Sequence, residues 1–306
     1  MAPHGAVVTS LTSLPTVSAF CSPPLSENSS FGATPNNPQF FHLLPLMPIH
    51  PHLRISDTEI TALVPSAEAT GGFAVKSWSV IPGSSLLVRL GEALRDDFLL
   101  SLTENRVEVG FSGAVTPVPL ADFQEEDAEA LHHQCFSEGR RGRVFYDPVP
   151  ALNAVLLFSA DPALCHRVEE ALPQAHFYAS LTPWLSRLAR KTAVSVAHRL
   201  YVYVHDGLFT LALLNETRLL LLNTWPATAP TDVAYYALSA LRQFGIPPSA
   251  VATQVSGDEA LCPSVVAELS RHLPHAVGMS AASEFNRHPL TAAQGVSFDL
   301  LCAVLK

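Results

Sequence analysis

The chain has 306 residues, a length that suggests about two domains, with 48% apolar residues, only 15% charged and a formal charge of −9. The acidic balance excludes a nucleic-acid surface, which needs a dense basic stripe to displace counterions. No uninterrupted apolar run reaches the ~20 residues of a membrane-spanning helix; the longest, 208–222, is broken by Asn215, Glu216 and Arg218. Two small basic groups have local explanations. Arg140, Arg141 and Arg143 read as a solvated turn around Gly142, and Arg187, Arg190 and Lys191 as the end of a helix, where cations favour the dipole. The five cysteines, Cys21, Cys135, Cys165, Cys262 and Cys302, are odd in number and widely spaced. They form no disulfide framework, and the expectation is a reducing, cytoplasmic setting.

Residues 1–50 stand apart, rich in Pro, Ser, Thr and Asn and without Lys or Arg. They lack the positive start and continuous apolar segment of a secretory signal and read as a disordered or extended tail. Periodicity begins near Leu53, where 53–65 reads as a hairpin turning around Asp57. Residues 71–81 alternate as a half-buried strand does. A helix is predicted over 85–96, its face carrying Leu87, Leu90 and Leu94, and strand material over 106–120. Asp122 is the expected N-cap of the next helix, with Glu125, Glu126 and Asp127 in its first turns and Gly139 at its end. Residues 149–158 read as a buried strand or connection. Asp161–Pro162 and Thr182–Pro183 each read as a helix start.

The second half follows a clearer order. Three strand-like runs, 197–204, 208–214 and 217–223, are separated by Asp206–Gly207 and Asn215–Glu216. Asp-Gly is a strong hairpin signal because the mirror-image turn requires positive φ. A helix over 232–244 follows, then a strand over 251–257, a helix over 263–273 and a strand over 276–282. The first half shows a blurred version of the same order. The expected boundaries are a tail 1–50, a first domain 51–191 and a second domain 192–306.

The phrases at 107–136, 149–178 and 217–246 resemble an uncharacterised bacterial family known only as a domain of unknown function (DUF3822) and grouped with the actin-like ATPase superfamily. The most specific is Asn223–Thr224–Trp225 followed by Asp232, Tyr235 and Tyr236. The resemblance implies an α/β chain with a duplicated actin-like (ribonuclease H-like) fold, each half a mixed sheet flanked by helices. It implies no activity.

Active members of that superfamily hold nucleotide between two glycine-containing hairpins, where backbone N–H groups approach the phosphates and carboxylates lie near magnesium. By the resemblance, the corresponding positions are Asp57 in the first hairpin, Asp206, Gly207 and Thr210 in the second, and Gly257 beside the adenosine-side loop. This set is degenerate. The first hairpin has no glycine, and Gly257 stands without the usual adjacent glycine. Asp206–Gly207 is equally accounted for as a turn, and Gly257 as the end of a strand. No catalytic acid is identifiable between the loops. The expectation is therefore no resident cofactor, with weak ATP and magnesium binding as the alternative.

Other constellations do not assemble. His132 and His133 are adjacent and diverge on a helix, so with Glu129 and Cys135 they make no facial metal site. His272 and His275 are separated by Pro274. The segment 110–114 lacks the spacing of a nucleophile elbow. The residues favour a non-catalytic actin-like scaffold or adaptor with a protein partner. A nucleotide-binding switch or weak ATPase, and an enzyme of unknown class in the inter-domain cleft, are the rival readings.

Overall fold

A computed structural model of the protein describes residues 50–136, 142–192, 198–216 and 218–305. The first sheet has strands β1 (His52–Ile55), β2 (Glu59–Pro65), β3 (Phe73–Ser79), β4 (Val107–Phe111) and β8 (Ala175–Ala179), in the order β3-β2-β1-β4-β8. The second has β9 (His198–His205), β10 (Leu208–Asn215), β11 (Arg218–Pro226), β12 (Val251–Gly257) and β13 (Ala276–Gly278), in the order β11-β10-β9-β12-β13. The two orders are the same. In each, a meander turns back twice, and its first strand then takes a parallel neighbour. A parallel neighbour needs a crossover, and this is where the helical patterns fall.

One helix pair lies between the sheets. Helix α5 (Leu181–Thr192) packs on the C-terminal helix α9 (Phe298–Val304). Trp184 of α5 stacks on Tyr203 of β9 with ring centroids 5.3 Å apart, and Arg54 of β1 bonds to Asp299 of α9. Strand alternation divides β9 between two cores. Tyr201 and Tyr203 join the large core shared with the first sheet, α5 and α9. Leu200, Val202 and Val204 join the core beneath α6 (Pro230–Gln243) and α7 (Cys262–Ser270). The segment from Ala281 onward returns to the first lobe, where Phe285, Leu290, Phe298 and Leu301 enter its core.

An insertion distinguishes the first lobe. Between β4 and α4 (Pro162–Ala171), strands β5 (Thr116–Pro119), β6 (Arg143–Val149) and β7 (Ala154–Ala160) form an antiparallel sheet in the order β5-β7-β6. Val155 and Leu157 of β7 pack with Ala128 of α3 (Ala128–Cys135) in a small core, while Leu156 and Phe158 face the main one.

Several expected elements are present where periodicity placed them. These include α1 (Leu86–Leu94), α4 with Asp161 accepting the Ala163 N–H at 2.7 Å, and the β9–β11 meander. Others differ. Asp122 is no helix cap, because the chain runs through two short 3-10 turns before α3 begins at Ala128. Gly139, Arg140 and Arg141 lie outside the described residues, and Arg143, expected in a turn, opens β6 and pairs with Glu169 at 2.5 Å. Helix α5 starts one residue before Thr182, whose hydroxyl donates to Asp147 at 2.5 Å. Strand β8 and helix α9 carried no sequence signal of their own. The extended-tail reading of 1–50 lies outside the described residues up to position 49.

Candidate functional site at the meeting of the two hairpins

Strand β1 opens on His52 and carries one charged residue, Arg54, between the apolar Leu53 and Ile55. Leu53 and Ile55 are buried on one face, and alternation sends the Arg54 side chain to the other, toward α9 and the second lobe. There its guanidinium binds two carboxylates. Nε donates to both oxygens of Asp299, at 3.1 and 2.8 Å, while Nη2 and Nη1 donate to Asp206 at 2.6 and 3.3 Å. The guanidinium has the fixed fork of donors that this double pairing needs. The group is nearly sealed, with side chains 6% exposed at Arg54, 11% at Asp206 and 0% at Asp299.

Asp206 collects further donors from both lobes. The hydroxyls of Ser112, just past β4, and Thr58, in the β1–β2 turn, donate at 2.5 and 3.0 Å. His205 Nδ1 lies 3.2 Å from Asp206 Oδ2. A proton on Nδ1 lets His205 donate to Asp206 and leaves Nε2 to accept from Thr210 at 3.1 Å, with Thr210 bonded in turn to Thr224 at 2.8 Å. On the other side, Asp299 Oδ1 accepts from the Ser297 hydroxyl and the Leu300 N–H, and the Tyr203 hydroxyl lies 3.3 Å from the Asp299 amide nitrogen.

The electrostatics follow from this packing. Burial pushes the Asp206 carboxyl up, but the His205 hydrogen bond and the Arg54 guanidinium outweigh it and hold the group well below the usual carboxylate range. Burial likewise works against Asp299, and Arg54 and Ser297 reverse it. Desolvation weakens the charged form of Arg54, yet Asp299 and Asp206 together leave its pKa raised. Each charge is tolerable in the interior because the others are there.

The residues singled out in the sequence are thus separated in role. Asp57 is exposed at the turn and does not join Asp206; its neighbour Thr58 does. Asp206 and Gly207 have φ of 48° and 72°, the conformation of the tight mirror-image hairpin. Thr210 is fully buried within the hydroxyl chain beneath the strand. Gly257 has φ of 117°, and a Cβ there would stand 2.0 Å from the Val204 carbonyl oxygen, so close strand approach accounts for it. Arg54, Ser112, His205 and Asp299 were missed. A lone charge inside a short apolar strand or helix is a usable signal, since such groups are seldom buried unpaired; the partner is what cannot be read. The family-like phrase around Trp225 also has a packing role, its ring stacking on Tyr236 at 4.6 Å and Phe209 at 5.6 Å to tie β11 and β10 to α6.

The family model described as "Protein of unknown function (DUF3822)" matches residues 68–276. Among solved structures, a Bacteroides thetaiotaomicron protein with an actin-like ATPase fold and unknown function is similar with a TM-score of 0.69 at 20% identity, over 80% of this chain and 96% of that one. A PilM-PilN type IV pilus biogenesis complex is similar with a TM-score of 0.54 at 14% identity, over 84% and 97%. These likenesses establish the duplicated actin-like fold. No curated protein matches the sequence at a significant level. Among the described residues, no helix is long and apolar enough to cross a membrane, and no cluster of three or more His, Cys, Asp or Glu could hold a metal.

Proposed function

The chain belongs to the DUF3822 family of proteins of unknown function, and on that footing we propose that it acts as a non-catalytic actin-like adaptor whose lobes are held together to present a surface to a protein partner. One observation carries this reading: Arg54 closes on Asp206 and Asp299 where the two hairpins meet. In nucleotide-binding relatives of the fold, the hairpins must leave room for phosphates and magnesium. Here the second hairpin's carboxylate is engaged by a guanidinium, two hydroxyls and an imidazole. Magnesium needs oxygen ligands in near-octahedral geometry and phosphates placed beside them. An arginine between the carboxylates satisfies neither condition. Opening the cleft would leave buried charges unpaired, at a cost of several kcal/mol. A fixed inter-lobe angle suits a platform better than a nucleotide-driven hinge. The similar PilM-PilN structure is itself an assembly of a protein with a partner, which agrees with an adaptor role.

Calorimetric titration with Mg-ATP, paired with a phosphate-release assay, tests the reading. The expected result is no binding in the micromolar range and no release. Micromolar binding that is lost in Asp206→Ala would overturn the adaptor reading in favour of a nucleotide switch.

A further inference from the structure

A second polar feature lies on the same face of the first sheet, at its opposite end. A cavity of about 740 Å³ opens between β1, β4 and β8, helix α5, the end of α9 and strand β6 of the inserted sheet. That volume suits a small organic ligand. Asp147 of β6 borders it and is only 7% exposed. Its Oδ2 accepts the Ala179 N–H at 2.8 Å and the Thr182 hydroxyl at 2.5 Å, while Oδ1 has no hydrogen-bond partner among the described residues. Among the described residues no cation forms an ion pair with it. The charges acting on it are those of His176 and Glu108, and these are paired with each other at 2.8 Å. Glu108 is further engaged by Arg106. The contrast with Asp206 and Asp299 is direct: those buried carboxylates share a guanidinium, and Asp147 faces a cavity. A buried carboxylate without a counter-ion is half of an ion pair.

The walls define the other half. Phe73, Tyr146 and Tyr178 supply rings, and Pro183 and Val304 supply apolar surface. Ring faces attract cations, and apolar walls receive a hydrocarbon stem. Arg190, exposed on α5 at the same cavity, opposes a second positive charge on the ligand. We propose that this cavity binds an organic monocation, an ammonium or guanidinium on an apolar stem, whose charge pairs with Asp147. The cation is carried either by a free amine or by a lysine or arginine side chain of a peptide.

Calorimetry and thermal-shift measurements on the full chain test this with hexylamine, phenethylamine, the alcohols of the same shape, spermidine, and a short peptide with blocked ends and one lysine. At least one monocation should bind, and its neutral alcohol should bind at least about tenfold more weakly, because a charge-assisted hydrogen bond is lost. Spermidine should bind no better than hexylamine. Asp147→Asn retains an acceptor for Ala179 and Thr182 and should weaken monocation binding by at least about tenfold. Ser186→Trp, which fills the cavity and leaves the carboxylate in place, should abolish it and keeps the test decisive if Asp147→Asn fails to fold. Tighter binding of the peptide than of the amines, or the reverse, assigns the source and supports the site in either case. Failure of all monocations, equal binding of amine and alcohol, preference for spermidine, or unchanged binding in either variant overturns it.

Discussion

The two lobes repeat one strand order but treat the turn after their first strand differently. In the first lobe, the Ser56 hydroxyl accepts the Glu59 N–H at 3.0 Å and donates to the Glu59 carbonyl at 2.9 Å, so a side chain organises the turn and Asp57 is left exposed. In the second, positive φ at Asp206 and Gly207 makes a tight turn, and the Asp206 carboxylate faces back toward the first lobe. The equivalent acids therefore never face each other. The gap is bridged instead by Arg54, a strand residue, and by the turn hydroxyl of Thr58. A repeated topology fixes where two loops meet. It does not fix which side chains meet there.

The strongest way to break this picture is Arg54→Ala. Two buried carboxylates would lose their cation, and urea unfolding should show a loss of about 3–5 kcal/mol at neutral pH. The pH dependence sharpens it. Asp206 and Asp299 are held below their unfolded value of about 3.9, so their contribution is complete above that pH and is lost as the pH falls below it toward the folded values. In Arg54→Ala, acid instead neutralises unpaired carboxylates, and the stability gap between variant and parent should narrow below about pH 4.

Two glycines of the second lobe, Gly207 and Gly257, give the next effect in size. Gly257→Ala combines a positive φ with a collision against the Val204 carbonyl and should cost at least about 3 kcal/mol. Gly207→Ala also requires positive φ, but nothing lies within 4 Å of the added carbon. Its cost should be about 1–2 kcal/mol. Equal costs measured by denaturant unfolding would contradict the assignment of one glycine to close approach and the other to a turn.

The insertion, which has no counterpart among the described residues of the second lobe, should respond to pH in a range of its own. His132 of α3 is 1% exposed, and its Nδ1 is buried without a hydrogen-bond partner. Burial, with a smaller contribution from His133, lowers its pKa to about 4. The unfolded chain binds this proton first, so stability is complete above about pH 6.5 and declines as the pH falls toward about 4. His132→Leu should remove that decline and gain about 1 kcal/mol by deleting the unpartnered polar atom. Unfolding midpoints at pH 7 and pH 5 decide it.

The smallest expected effect is at Asp232, within the most family-like phrase. Its Oδ2 accepts the Ala229 N–H at 2.9 Å at the start of α6, half of a capping box, since alanine has no side-chain acceptor to reciprocate. Asp232→Asn should cost less than about 1 kcal/mol in thermal unfolding. A larger loss would mean that the residue does more than cap the helix.

Local chemistry was legible wherever one stretch of chain contains its own reason. Asp206–Gly207 announced a hairpin, Asp161–Pro162 a helix start, and the spacing of Leu90 and Leu94 a buried helical face. The repeated order of elements was enough to indicate a duplicated α/β fold. Short elements whose burial comes from distant neighbours gave little: among the described residues β8 pairs with β4 alone, and α9 is a two-turn helix held between the sheets. Of the cleft, Asp206–Gly207 was legible only as a hairpin turn, and its place opposite the first hairpin was implied by the family resemblance. Tertiary structure decided the rest. Arg54 lies 152 positions from Asp206 and 245 from Asp299, and no periodicity or spacing rule links residues so far apart. Whether a charge in an apolar strand finds a partner depends on what the packing of α9 and the second lobe brings within about 3 Å, because at that range and in that burial a single ångström separates an ion pair from an unpaired charge.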